Sequence, residues 1–407
     1  MKVCFETFGC RLNKAEALQM EAEYLAKGWE LTDSHKDANL IVVRGCSVTS
    51  SAQHDCERLI AHLRKHYPLV PLRICGCLDD KRLREIGLES SKIPLVYAKV
   101  LKRSGPPGTM PEDTPVPTRT ARAYLKVQDG CAGSCTFCIV PKFRGKSVSV
   151  PHDQVLDKAK RFIEAGYHEI VVTGCNLSLY ASQGLRLPEL LAALSAIAGE
   201  RCRIRLGSLE PGECALDVVR TMAESKNICR FLHIPVQSGA NRVLAAMRRP
   251  YLIREVDRIV EEARRLMPTI GIGCDIMTGF PGESQLDFQT TLGMFKRLRF
   301  SNAHIFPYSQ RPGTPAAKFS ESVSREVRVA RARELTKLAK SCRAEFAKSF
   351  LGKTVEVIVE DTAKCVGWTG EYLRCEAELG TAERKSSARI FVKKVDGDKL
   401  LGRIVRS

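Results

Sequence analysis

The sequence predicts an α/β chain in three parts: a small parallel α/β unit at the N-terminus, a partial barrel of six βα units, and a small C-terminal β-barrel. Three observations carry this. From Val3 to Phe306, apolar runs of strand length alternate with segments of helical periodicity, the pattern of parallel sheets. A stretch with five prolines and two glycines at 104–117 interrupts that alternation, as an extended linker would. Beyond residue 350 the helical periodicity gives way to short β-prone runs separated by Gly or Asp.

In the first part, residues 1–103, the strands are read at Val3–Phe8, Asn39–Val43 and Leu72–Cys75, and the helices at Asn13–Lys27 and Ser50–His66. Each strand leads into a Gly-Cys step: Gly9-Cys10, Gly45-Cys46 and Gly76-Cys77. Strand C-termini in an open parallel sheet share one edge, the edge where such folds bind ligands. Three cysteines far apart in sequence are thereby brought together, each beside a glycine that permits close backbone approach. Three ordinary buried cysteines would be the plain alternative, but repetition at three successive strands argues against it. Cys75 competes with Cys77 for the third place, and Cys77 is preferred because it lies further toward the loop. Cys4 and Cys56 read as core residues.

The second part, residues 118–342, has strands at Ala123–Val127, Glu169–Thr173, Arg203–Leu206, Phe231–Val236, Gly271–Met277 and Asn302–Phe306, with helices between and after them. Six βα units fit a partial TIM-like barrel whose chemistry sits at the C-terminal ends of the strands. Directly after the first strand comes Asp129-Gly130-Cys131-Ala132-Gly133-Ser134-Cys135-Thr136-Phe137-Cys138. The spacing lets three thiolates converge on one small inorganic object. A cubane iron–sulfur cluster normally takes four thiolates, so three leave one iron open for chemistry. Structural zinc wants four ligands, and no fourth follows at zinc-ribbon spacing; zinc stands as the alternative. A disulfide is disfavoured because cysteines this close cannot all pair. The N-terminal three would make a second site of the same kind.

The CxxxCxxC loop, with Phe137 before its last cysteine and Gln128-Asp129-Gly130 ahead of it, resembles the radical S-adenosylmethionine (SAM) superfamily. The N-terminal cysteine unit in front of it resembles the methylthiotransferases within that superfamily. Short stretches at the strand ends match in order: Thr173–Asn176, Arg205–Pro211, His233–Gly239 with Met247–Arg249, Asp275 to Glu283, and Phe306–Ala316. The resemblance implies two 4Fe-4S clusters, one on Cys131, Cys135 and Cys138 and an auxiliary one on Cys10, Cys46 and Cys77. It also implies a SAM pocket drawing on Phe137, Gly174, Asn176, Ser208, Glu210, Gln237, Arg248 and Asp275. One SAM would methylate a sulfur on the auxiliary cluster, and a second would be cleaved to a 5′-deoxyadenosyl radical. An electron donor such as flavodoxin or ferredoxin is implied. One departure is visible: the family's Asn-Thr-Cys is Arg44-Gly45-Cys46 in this chain.

Residues 343–407 resemble the RNA-binding TRAM domain of that family, with strands expected at Thr354–Val359, Glu371–Glu376, Ala388–Val392 and Leu400–Val405. A basic helix is expected at 323–348. The formal charge of +18 over 407 residues points to a polyanionic partner. Together these imply tRNA, recognised at the anticodon loop. The family also has branches acting on isopentenyladenosine in tRNA and on a ribosomal protein aspartate. Ile305–Arg311 and Arg205–Glu213 look more like the branch that acts on threonylcarbamoyladenosine at position 37. That substituent carries a carboxylate, for which Arg248, Arg249 or Arg44 is the expected cation. A reading of another class is a non-catalytic RNA-binding iron–sulfur redox sensor, which would need no SAM pocket. Seventeen cysteines, with no signal peptide and no membrane-spanning apolar run, lead to the expectation of a cytoplasmic protein with reduced thiols.

Overall fold

A computed structural model describes residues 1–46, 50–78, 116–117, 120–320, 322–361, 365–378 and 386–405. The linker expected at 104–117 lies outside them apart from its last two residues. The first sheet contains β1 (Lys2–Thr7), β2 (Glu30–Leu31), β3 (Leu40–Cys46) and β4 (Leu72–Cys77), all parallel in the order β2-β1-β3-β4. Helices α1 (Arg11–Ala26) and α2 (Ser50–His66) are the crossovers. Two residues are too few to show a strand period, so β2 is invisible in the sequence. Ile41, Val43, Ile60, Leu63 and Ile74 pack with Cys4 and Cys56 into the core of this unit.

β3 and β4 run further than the sequence predicts. They pair through Arg44↔Cys75, Gly45↔Gly76 and Cys46↔Cys77, so Cys46 and Cys77 are the last rungs of the ladder rather than loop residues beyond it. Glycine makes this possible, because a Cβ on Gly76 would stand 2.4 Å from the Gly45 carbonyl oxygen. Neighbouring parallel strands lie about 4.8 Å apart, which brings the last two cysteines side by side.

The second part holds, in order, β5 (Ala123–Lys126), β6 (Gln128–Asp129), α3 (Val140–Arg144), β7 (Val148–Ser149), α4 (His152–Glu164), β8 (Glu169–Thr173), β9 (Ala181–Ser182), β10 (Leu185–Arg186), α5 (Leu187–Ala198), β11 (Arg203–Leu206), α6 (Glu213–Glu224), β12 (Phe231–Gln237), α7 (Asn241–Ala246), α8 (Ile253–Leu266), β13 (Gly271–Thr278), α9 (Gln285–Leu298) and β14 (Asn302–Pro307). The long strands form two parallel sets, β11-β8-β5 and β12-β13-β14. Bridges from Ile204 to Ile228 and from Ser208 to His233 join the sets into an open six-stranded barrel. Strand period decides the two faces. Leu125, Ile170, Ile204, Leu232 and Ile272 pack outward against the helices. Lys126, Arg205 and His233 alternate with them and are buried on the lumen side. Tyr124 and Val171 instead pack against Ala15 and Leu18 of α1, so the N-terminal unit leans on the open side of the barrel.

Helix α10 (Arg325–Lys348) leads into β15 (Thr354–Asp361), β16 (Val366–Thr369), β17 (Arg374–Glu378), β18 (Ser387–Asp396) and β19 (Lys399–Ile404), a closed barrel in the order β15-β16-β17-β19-β18. β16 was not expected, and the strand read from Glu371 begins at Arg374. The reason is a turn there, with Tyr372 at φ +67. This turn meets the lower end of the large barrel. Glu169, fully buried, accepts from Arg203 and Arg205 at 2.7 Å each. Those arginines donate onward to the carbonyls of Glu356, Trp368, Thr369 and Gly370. Burial pushes the Glu169 carboxyl up, but Arg205 and Arg203 outweigh it and hold the group ionised. The Tyr372 ring stacks between Phe231 and Trp368, 4.7 Å from each. Not all of α10's basic side chains face solvent: Arg331 is buried and pairs with Glu283 at 2.6 Å. No helix among the described residues is long and apolar enough to cross a membrane.

Candidate active site

The barrel's cysteine loop is held by its own backbone. Gln128, fully buried, donates from Nε2 to the carbonyls of Asp129 (3.0 Å) and Gly130 (2.6 Å), and its Oε1 accepts from the Asn176 N–H at 2.9 Å. Gly130 is at φ +69, and a Cβ there would lie 2.0 Å from the Lys146 carbonyl oxygen, so only glycine fits. Thr136 ties the loop to α7, its N–H and hydroxyl donating to Met247 and Ala246 at 3.0 Å each. The sulfurs of Cys131 and Cys135 flank Gly133, at 3.2 and 3.9 Å from where its Cβ would be. Burial raises the Cys138 thiol to about 11, and Cys135 and Cys131 add to the rise. Thiols whose ionisation is opposed by burial and by a neighbouring cysteine, as at Cys135 and Cys138, suit a cationic metal centre, which removes that penalty.

At the N-terminal edge, Cys46 and Cys77 are buried and Cys10 is exposed. Gly9, at φ +87, leaves room that a Cβ would fill 2.7 Å from the Cys46 sulfur. Asn13 fixes the arrangement by donating to the carbonyls of Phe8 (2.8 Å) and Gly45 (2.9 Å). Burial raises the Cys77 thiol to about 11, with Cys10 and Cys46 contributing. Cys75 is turned elsewhere: its sulfur accepts from Arg44 at 3.6 Å, beside Met20 and Glu16. Cys46 pairs with Cys77 across the ladder, and Cys10 and Cys46 both lie within electrostatic reach of Cys77.

The two triads are joined by residues that sequence reasoning missed. Arg144, six positions after Cys138, donates to the Cys77 sulfur at 3.1 Å, to Asn13 at 3.0 Å, to Glu16 at 2.9 Å and to Asp129 at 3.1 Å. Glu16 of α1 also takes Lys126 at 2.9 Å and pairs with Arg44. Burial pushes Glu16 up, but Lys126, Arg144 and Arg44 together pull it far below the usual carboxylate range. Cys175, beyond β8, donates to Asp129 at 3.6 Å and lies in the electrostatic reach of Cys10. No local pattern marks Arg144 or Glu16, whose partners are up to 131 positions away.

The expected SAM residues fall into two groups. Around the cysteine loop, Phe137 packs edge-on to Phe280. Gly174 is small by necessity, since a Cβ would stand 2.8 Å from Gln128 Oε1. Glu210 pairs with Arg249 at 2.6 Å, and Arg249 also donates to the Cys135 sulfur at 3.0 Å. Gln237, at φ +66, buries an Oε1 that has no partner among the described residues, as a side chain awaiting a polar ligand would. The others have local roles or lie apart. Asn176 caps a short 3-10 turn by accepting from the Ser178 N–H. Asp275 sits in the lumen between His233 (3.0 Å) and His304 (3.1 Å). Ser208 and Arg248 are exposed. The orphan oxygen of Gln237 and the two sulfur triads fit a SAM-and-cluster centre.

The sequence profile of the Radical SAM superfamily matches residues 125–295, and that of uncharacterized protein family UPF0004 matches residues 2–97. The chain is 30% identical to the threonylcarbamoyladenosine tRNA methylthiotransferase MtaB of Bacillus subtilis, over 91% of this chain and 89% of the relative. It is 32% identical to the tRNA-2-methylthio-N(6)-dimethylallyladenosine synthase of Fervidobacterium nodosum, over 97% and 96%. Among solved structures, the radical SAM methyltransferase TsrM of Kitasatospora setae shares the fold at 14% identity, with a TM-score of 0.54 over 77% of this chain and 76% of that one. The two profiles lie on either side of the contact that Arg144 makes, and the similarity runs nearly end to end, so the chain belongs to the radical SAM methylthiotransferase family and is an enzyme that transfers methylthio groups.

Proposed function

We propose that the protein adds a methylthio group to C2 of threonylcarbamoyladenosine at position 37 of tRNA, next to the anticodon. The observation that carries the methylthio transfer is the bridge that Arg144 makes between the Cys77 sulfur and Asp129, the residue that opens the barrel's cysteine loop. A transfer from one centre to a base activated at the other needs both at one fixed separation. Cys131, Cys135 and Cys138 would hold one 4Fe-4S cluster, and Cys10, Cys46 and Cys77 the auxiliary one. Phe137, Gly174, Glu210, Gln237 and Arg249 would surround SAM. Bound there, the clusters and SAM supply the radical and the sulfur. The chain's own part is to hold the two centres apart at a set distance, to exclude water with α1 against the barrel, and to hold Arg249 against Cys135.

The net charge of +18 supports a tRNA partner, as does the closed C-terminal barrel, which we assign to residues 343–407 as an RNA-binding unit. We take 1–103 as the auxiliary-cluster unit and 118–342 as the radical SAM core, supplied with electrons by a flavodoxin or ferredoxin in the cytoplasm. MtaB relatives from Bacillus subtilis and Aquifex aeolicus support the threonylcarbamoyl substrate. Dimethylallyladenosine synthases at similar identity support a second reading, the isopentenylated base. Mass spectrometry of tRNA nucleosides from a deletion strain separates them. Loss of the methylthio form of threonylcarbamoyladenosine is expected, and its persistence with loss of the isopentenyl form would transfer the assignment.

A further inference from the structure

Arg311 lies in the loop after β14, where Thr314 closes a turn by donating from its N–H and hydroxyl to the Arg311 carbonyl at 3.2 and 2.8 Å. The turn is pinned to the barrel's cysteine loop, because the Ala316 N–H donates to the Thr136 carbonyl at 2.8 Å. The Arg311 side chain reaches the other way, into the N-terminal unit. Its Nη1 donates to Gln53 Oε1 on α2 at 3.1 Å, and Gln53 is held in that orientation by donating to Glu57 at 3.0 Å. Cys46 is close enough to act on its charge. One guanidinium therefore spans from the loop of one triad to the strand end of the other.

Its remaining donors are the point. Nε and Nη2 of Arg311 are shielded from solvent and have no hydrogen-bond partner among the described residues. They share one edge of the planar group and present two parallel N–H bonds, the geometry that matches a carboxylate or phosphate in a bidentate contact. Among the described residues, Arg311 alone leaves both donors of one edge buried and unmet. Of the cations expected from the sequence, Arg249 is engaged with Glu210, Cys135 and Tyr251, Arg44 is engaged with Glu16 and Cys75, and Arg248 is exposed. Shielded donors left unmet on a half-buried cation are unfavourable by themselves, so the fold holds this edge ready for an anion.

We propose that the Nε–Nη2 edge of Arg311 receives an oxyanion of the RNA substrate beside Cys46. The proposal rests on the tRNA reading above. Two groups on such a substrate have this chemistry: the carboxylate of a threonylcarbamoyl substituent and the phosphodiester of the target nucleotide. The test uses full-length, anaerobically reconstituted protein. Binding is measured by fluorescence anisotropy with anticodon stem-loops carrying adenosine, isopentenyladenosine, threonylcarbamoyladenosine, or the methyl ester of the last. Arg311→Gln is expected to weaken binding about tenfold. A loss confined to the free-acid threonylcarbamoyl RNA assigns the edge to the carboxylate. An equal loss on all four RNAs, with a salt dependence shallower by about one counterion, assigns it to the phosphodiester. Unchanged binding of all four by a variant with full iron content overturns the proposal. Arg311→Lys keeps the charge without the paired edge, serves if the glutamine variant fails to fold, and is expected to lose about threefold. Wild-type preference for the isopentenyl RNA would overturn the threonylcarbamoyl reading while leaving the phosphodiester arm intact.

Discussion

The two cysteine triads reach similar ends by opposite routes. Cys131, Cys135 and Cys138 lie in one loop whose backbone is braced by Gln128 and Thr136. Cys10, Cys46 and Cys77 come from three strand ends and are assembled by sheet register, with Cys46 opposite Cys77. A loop site is local and depends on a few backbone hydrogen bonds. A register site depends on the whole sheet and on glycines that let strands and side chains approach. The difference predicts that damage far from the sulfurs reaches the second site more readily than the first.

The sharpest break is at the cysteines themselves. Cys131→Ala and Cys46→Ala are each expected to lower bound iron from about eight to about four per chain, as measured by iron and sulfide assay. Cys131→Ala should abolish reductive cleavage of SAM, whereas Cys46→Ala should retain cleavage and lose methylthio transfer. If both variants lost cleavage alike, the two sites would not be separable.

Next in size is Glu16→Gln. It would leave Arg44, Lys126 and Arg144 buried around a neutral amide, at a cost of about 3–5 kcal/mol in chemical denaturation. Because the folded carboxyl titrates far below its ordinary 4.5, its contribution is fully present at neutral pH. It drains away as pH falls below about 4.5 toward the folded value. The wild-type protein should therefore lose stability over that range more steeply than the variant.

Gly9→Ala is expected to cost about 1–3 kcal/mol from the left-handed backbone alone. Its Cβ would press on the Cys46 sulfur, so iron should be lost from the auxiliary site while the barrel site stays loaded, as seen by EPR of the reduced protein. The smallest effect belongs to Cys75→Ser. Because Cys75 faces Arg44 rather than Cys10, iron content should stay at the wild-type level, with a stability change under about 1 kcal/mol.

What the sequence made legible follows the same division. Loop spacing shows directly, so Cys131 to Cys138 could be read from the letters alone. The strand-end cysteines could be read only by first inferring strands, and there the ladder ran two or three residues past the expected ends because Gly45 and Gly76 continue it. Arg144 and Glu16 were not legible, and Arg311 stood inside a rim stretch with nothing to mark its own role. Each is one charged residue among many, and its meaning lies in partners on the other unit. The rim residues were ambiguous for a physical reason. Polar loops at strand ends look alike whether they cap a turn, as Asn176 does, or leave an oxygen unmet, as Gln237 does.

Tyr372 acts as a cork. Wedged between Phe231 and Trp368, with Arg11 and Arg205 over its ring, it stoppers the floor of the vessel and leaves the sulfur-bearing mouth as the doorway. Reactants would then come and go at the opposite end, where the strands lead into the cysteine loop.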